Sequence, residues 1–170
     1  MLGGPVSDRF LTRARERGVD PQVREFPAGT RTAADAAAAI GVEVAQIVKS
    51  LVFVAVGSPA ADGAAAADED RPVLALVSGA NRVDEAKLAD ALGVTRVRKA
   101  TADEVRAATG YAIGGTPPFG HDTELPVLCD RALLAFDEVW AAAGTPTTVF
   151  PLAPAQLLEV TGAAAVELAG

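Results

Sequence analysis

A mixed α/β fold, one partly closed mixed sheet with helices outside it, is predicted for this 170-residue chain by three observations. Strand-like runs rich in β-branched residues alternate with short helical segments. The helical segments stop at glycines, among them Gly18, Gly41, Gly93 and Gly110, where a left-handed backbone ends a helix at little cost. The order of elements lacks the regular βαβ crossovers of a doubly wound fold. The length fits one domain, residues 1–170, with a single sizeable core.

The elements follow in order. Ser7 caps a helix through FLTRARERG that Gly18 stops, and VREF (23–26) is a short strand. Thr32 opens the alanine-rich helix AADAAAAI, which ends at Gly41. IVKSLVFVAV (47–56) is a buried strand. GSPAADGAAAADEDRP (57–72) is a low-complexity, flexible connection. It marks no domain boundary, because strand-like sequence resumes at VLALVSG (73–79). VDEAKLADAL (83–92) has helical spacing with Gly93 at its end, and TRVRKA (95–100) is a strand. Thr101 and Glu104 form a capping box for a helix that stops at Gly110. LPVLCD (125–130) is a strand, while DRALLAFDEVWAAAG (130–144) supports either a helix or strands. TTVFPL (147–152) is a strand, Pro154 starts the helix PAQLLEVTG, and AAVELA supplies a last edge strand.

Composition narrows the function. A net charge of −7 argues against a protein that coats DNA or RNA through a broad basic face. It leaves room for a local basic edge at Arg96, Arg98 and Lys99, which charge alone reads as a solvated strand edge. No apolar run is long enough to cross a bilayer. The N-terminal MLGGPVSDRF lacks a signal core, and one cysteine makes no internal disulfide, so a cytoplasmic location is expected.

Two stretches carry candidate chemistry. Lys49 interrupts an apolar strand, and alternation places it on the face of Ile47, Leu51 and Phe53, with Ser50 on the face of Val48 and Val52. A charged amine on the bulkier apolar face is a functional candidate. GYAIGGTPPFGH (110–121) gathers four glycines, two prolines and the chain's only histidine. Gly114 and Gly115 can turn backbone amides into a nest for an oxygen atom, and Pro117 and Pro118 fix the turn that follows. Neither a Walker loop nor a dinucleotide fingerprint is present. Ser50 and Ser78 have no evident base, Cys129 reads as a core thiol, and no metal-ligand set occurs, so neither metal nor cofactor is expected. His121 either orients water or substrate or closes its own loop, and closure is the preferred reading.

IVKSLVF, LALVSGANRVDEAKLADALGV, GYAIGGTPPFGH and LPVLCDRALLAF together resemble the YbaK/ProX family of aminoacyl-tRNA deacylases, relatives of the editing domain inserted in bacterial prolyl-tRNA synthetase. The resemblance runs from about Thr32 to the C-terminus and implies a mixed α/β domain with a barrel-like sheet. It implies hydrolysis of the ester of a mischarged tRNA, in many members tRNA(Pro) carrying a wrong small amino acid. Lys49 matches the functional lysine, and Gly114, Gly115 and Pro118 match the loop that receives the aminoacyl end. The expected catalytic groups are Lys49 and the two glycine amides. Substrate-binding positions are Ser50, Ser78, Pro118, Phe119, His121 and Asp130, the last chiefly structural. Position 50 is Ser where cysteine-removing members commonly have Thr and alanine-removing members Asn, and the histidine-bearing loop is shared by part of the family. Acceptor-stem contacts are expected at Arg96, Arg98 and Lys99, with prolyl-tRNA synthetase or an elongation factor as a supplementary partner. Two rival readings remain: a tRNA- or nucleotide-binding module that uses the same pocket without turnover, and an interaction module that docks on a synthetase through the acidic surface.

Overall fold

The computed structural model describes residues 4–26, 32–57 and 70–170. Most of the 57–72 connection, with Asp62, Asp68 and Glu69, lies outside the described residues. Helix α1 spans Gly4–Glu16, so Ser7 sits in its first turn instead of capping it. Pro5 explains the earlier start, since its fixed φ and missing N–H suit a first helical turn. The remaining helices are α2 (Ala33–Ile40), α3 (Glu85–Leu92), α4 (Ala102–Thr109) and α5 (Pro154–Thr161). Their termini follow the sequence closely. Thr32 accepts from the Asp35 amide, Thr101 and Glu104 form a reciprocal capping box, and Gly41, Gly93, Gly110 and Gly162 each adopt a left-handed φ.

The strands are β1 (Arg24–Glu25), β2 (Ile47–Val56), β3 (Arg71–Ser78), β4 (Arg96–Lys99), β5 (Val127–Asp130), β6 (Val139–Ala142), β7 (Thr148–Leu152) and β8 (Ala164–Val166). They form one mixed sheet in the order β1-β7-β6-β2-β3-β5-β8, with β4 joined to β2 off that path. The β2–β6, β3–β5 and β5–β8 pairs are parallel. The ambiguous 130–144 stretch divides into a 3-10 turn at Arg131–Ala135, opened by Asp130, and strand β6. Asp130 caps the turn by accepting from the Ala132 amide, and the chain becomes extended at Phe136 before entering β6.

Alternation along β2 distributes its side chains between separate cores. Val48 and Val52 join Phe10, Phe119, Phe150 and Leu157 in the largest apolar cluster. Phe53 and Ala55 pack instead with Leu88 and Val97, and Ile47 packs with Trp140. Phe10 is fully buried, its ring 5.3 Å from that of Phe119 and 5.1 Å from that of Phe150. Helix α1 is thereby anchored beneath the 110–121 loop.

That loop is held at both ends by α1. Arg9 donates to the Gly110 carbonyl and stacks 4.7 Å from the Tyr111 ring centroid. One turn on, Arg13 donates to the Gly120 carbonyl at 2.9 Å and pairs with Asp122 at 2.8 Å. The Tyr111 hydroxyl donates to the same Gly120 carbonyl at 3.1 Å. Within the loop, His121 Nε2 lies 2.7 Å from the Pro117 carbonyl. A carbonyl can only accept, so Nε2 carries the proton there.

Truncation of Phe10→Ala removes the aromatic centre of this packing, and a loss of about 3–5 kcal/mol is expected in urea unfolding. A second outcome concerns pH. Burial pushes the His121 imidazole below its ordinary value of 6.5. The folded chain therefore resists a proton that the unfolded chain accepts, so stability is unaffected above that pH and falls below it. Urea midpoints are expected to decline between about pH 7 and pH 5.5, above the carboxylate range. In His121→Gln the decline should vanish; an equal decline in that variant would assign it elsewhere.

Candidate functional site

The longest strand creates the site by failing to be paired along one edge. One edge of β2 runs against β3 from Val48↔Ser78 to Ala55↔Arg71. The opposite edge is shared. β6 pairs only with Ile47 and Val48, and β4 pairs only from Phe53 onward. Residues 49–52 are left between them, and a cavity of about 610 Å³ opens there. Its lining includes Lys49, Ser50, Lys99, Gly114, Thr116 and Trp140. The volume lies within the range of small-molecule sites. Lys49 and Ser50 point to opposite faces of the strand, yet both reach the cavity because it wraps around the exposed edge.

Lys49 is half-buried and its Nζ donates to the Asn81 carbonyl at 2.5 Å. Asn81 is itself tied down, its side-chain amide donating to Asp130 Oδ2 at 3.0 Å. Asp130 is 2% exposed and also accepts from the Ser78 amide at 3.3 Å and the Ala132 amide at 3.1 Å. The Ser78 hydroxyl donates to the Ala45 carbonyl at 2.8 Å. Asp130 and Ser78 therefore stand behind the lysine, outside the cavity lining, and brace the loop that holds it. Desolvation pushes the Lys49 ammonium below its ordinary pKa, with repulsion from Arg82 and Lys99 in the same direction and Asp130 opposing it. Gly79 has a steric role beside them, since a Cβ there would come within 2.5 Å of the Val44 carbonyl oxygen.

The glycine loop divides its tasks. Gly114 has φ +89°, lines the cavity, and its N–H has no partner among the described residues. The expectation of two available glycine amides is corrected at Gly115, whose N–H donates to the Ala112 carbonyl at 3.0 Å. Gly115 is glycine because a Cβ would meet the Thr145 backbone at 2.8 Å. Phe119 belongs to the core, and Pro118, Phe119 and His121 line a separate cavity of about 380 Å³. None of the three lines the Lys49 cavity.

The basic edge also separates. Arg98 is bound to both oxygens of Glu104, at 2.8 and 2.9 Å, and approaches Asp70 at 3.8 Å. Arg96 is exposed on β4, whereas Lys99 borders the cavity. Among the described lining residues there is no carboxylate and no imidazole, and no group of three metal-ligating side chains occurs among the described residues. The described lining thus offers two cations, an amide and hydroxyls, which can bind and polarise a carbonyl, and no carboxylate or imidazole among those residues to act as general base.

Sequence reading missed Arg9, Arg13, Asn81 and Arg82. The i, i+4 spacing of Arg9 and Arg13 places both on one helix face, but their carbonyl partners lie 101 and 107 residues away. Asn81 and Arg82 lie in the quoted ANRVD stretch, with no local pattern that connects them to Lys49.

The comparisons agree with this geometry. Residues 27–160 match the model of the aminoacyl-tRNA editing domain. The uncharacterized protein YwhH of Bacillus subtilis is 33% identical over 139 residues, covering 81% of this chain and 79% of the relative. EbsC of Enterococcus faecalis, named as a candidate Cys-tRNA(Pro)/Cys-tRNA(Cys) deacylase, is 27% identical over 137 residues, covering 81% and 76%. A crystal structure described as a candidate trans-editing enzyme for prolyl-tRNA synthetase superposes with a TM-score of 0.85 at 45% identity over 98% of each chain. With the sheet, the lysine cavity and the family match in agreement, the chain belongs to the aminoacyl-tRNA editing domain family.

Proposed function

We propose that this chain is a trans-acting deacylase that hydrolyses the ester of a mischarged tRNA, with tRNA(Pro) bearing a small non-cognate amino acid as its substrate. The observation that carries the reading is a half-buried lysine in a cavity bordered by an unpaired glycine amide and lacking any described acid or imidazole. The names of EbsC and of the crystal-structure relative support it.

The chemistry follows from the groups present. The Lys49 ammonium and the Gly114 amide hold the ester carbonyl and stabilise the negative charge that develops on its oxygen. Water adds to the carbonyl carbon, and the neighbouring ribose hydroxyl relays the proton that water loses. The acyl–oxygen bond then breaks, the ribose oxygen takes the proton, and the free amino acid leaves. A methylene difference is worth only about 1–3 kcal/mol to a pocket, so a second sieve multiplies selectivity against small amino acids. Prolyl-tRNA synthetase or an elongation factor would deliver the tRNA to a chain whose net charge is −7.

Deacylation of tRNA(Pro) charged with Cys, Ala, Ser or Thr is the direct test. At least one ester should be cleaved, and Lys49→Ala should lower kcat/KM by about 10²–10³-fold. Full activity in that variant would remove Lys49 from the mechanism, while tight binding without turnover would favour a binding module. RNA affinity should fall with salt, and Lys99→Gln should reduce the slope of log K against log salt by about 1. Arg98→Gln should leave that slope nearly unchanged, because Arg98 is committed to Glu104.

A further inference from the structure

The gap in the β2 edge leaves one residue's main chain facing the cavity. Ile47 accepts from the Gly79 amide on the β3 side, and Val52 accepts from the Ala100 amide on the β4 side. Backbone groups alternate between the two edges with a period of two residues. Lys49 and Leu51 therefore face β3, opposite Val77 and Ala75, while Val48, Ser50 and Val52 face the other edge. On that edge Val48 is paired with Ala141, and Val52 is engaged by Ala100. Ser50 lies between them with no register partner in either β4 or β6. Its side chain repeats the pattern, since Oγ is buried without a hydrogen-bond partner among the described residues.

We infer that the Ser50 main chain is the docking edge for the aminoacyl group itself, a missing β-bridge that an α-amino acid ester completes. The inference rests on the deacylase reading and adds to it the part of the substrate that is read. An α-aminoacyl group carries one nitrogen donor and one carbonyl acceptor on either side of a single α-carbon, as any residue in an antiparallel hydrogen-bonded pair does. Laid antiparallel to β2, its ammonium donates to the Ser50 carbonyl and its ester carbonyl accepts from the Ser50 N–H. Lys49 and Gly114 lie around the same cavity, so the carbonyl is gripped from several sides. Directly opposed residues in such a pair place their side chains on the same face. The amino acid's side chain is thereby directed to the face of Ser50 Oγ. The bridge recognises what every α-aminoacyl ester shares and leaves selectivity to the walls, an arrangement related to strand addition in peptide recognition.

The test is amide hydrogen exchange by NMR on the full chain, free and saturated with 3′-alanylamino-3′-deoxyadenosine, in which an amide replaces the labile ester. In the free chain the Ser50 amide should exchange at least about a hundredfold faster than those of Lys49 and Leu51, which are held by β3. The analogue should slow Ser50 exchange about tenfold or more, and adenosine alone should leave it unchanged. If the analogue shifts the Gly114 resonance while Ser50 exchange stays unchanged, the bridge is wrong and the deacylase reading stands. Ser50 protection equal to that of Leu51 in the free chain would also overturn it. A chain that neither binds the analogue nor cleaves any mischarged tRNA overturns both.

Discussion

A strand in the middle of a sheet has two edges to satisfy, and the divided edge of β2 is the constraint on which this structure depends. β3 covers one edge from Val48 to Ala55, while β6 and β4 share the other and leave residues 49–52 between them. Buried backbone groups without partners are costly, so such a gap persists only where the surrounding fold holds it open. Here the flanking strands are fixed by other partners. β6 is committed to β7, and β4 is tied to the sheet by α3 and α4 on either side of it in the chain. Closing the gap by lengthening either strand would consume the cavity. The arrangement also explains how side chains on opposite faces of β2 reach one ligand space.

The second wall of the cavity is rigid for a different reason. A loop with four glycines in twelve residues has a large entropy to lose, and two prolines remove only part of it. The rest is constrained from outside. Arg9 and Arg13, one turn apart on α1, hold the carbonyls of Gly110 and Gly120, and Phe10 between them packs under Phe119. Each glycine then has its own task. Gly110 ends a helix, Gly115 allows the Thr145 backbone to approach, and Gly114 lines the cavity with an amide unpaired among the described residues. The histidine that draws attention in the sequence completes the internal bracing of the loop, with its proton committed to Pro117.

What was legible in the sequence was what local chemistry decides. The caps at Thr32 and Thr101, the glycine stops, and the strand at 47–56 all follow from residues within a few positions of one another. The alternation that put Lys49 and Ser50 on different faces is the alternation seen in the separate cores. The gap between β4 and β6 was not legible, because it depends on three strands separated by tens of residues. For the same reason the Gly115 amide looked available when its partner was Ala112, and Arg98 looked like a free cation when Glu104 and Asp70 already held it. Spacing identifies a residue's neighbours along the chain, whereas availability for a ligand depends on which groups have been taken by partners across the fold.

The charge distribution becomes coherent in the same terms. The chain is acidic as a whole, yet the charged residues on the described cavity lining are Lys49 and Lys99, with Arg82 close enough to repel Lys49. Burial lowers the Lys49 pKa, and repulsion from Arg82 and Lys99 acts in the same direction. Asp130 offsets part of it from behind, and the Asn81 carbonyl holds the ammonium in position. An anion entering the cavity would relieve what remains, so the repulsion already present favours a ligand carrying phosphate or developing oxyanion charge. In a chain of net charge −7, the two lysines on the described cavity lining run against the overall sign.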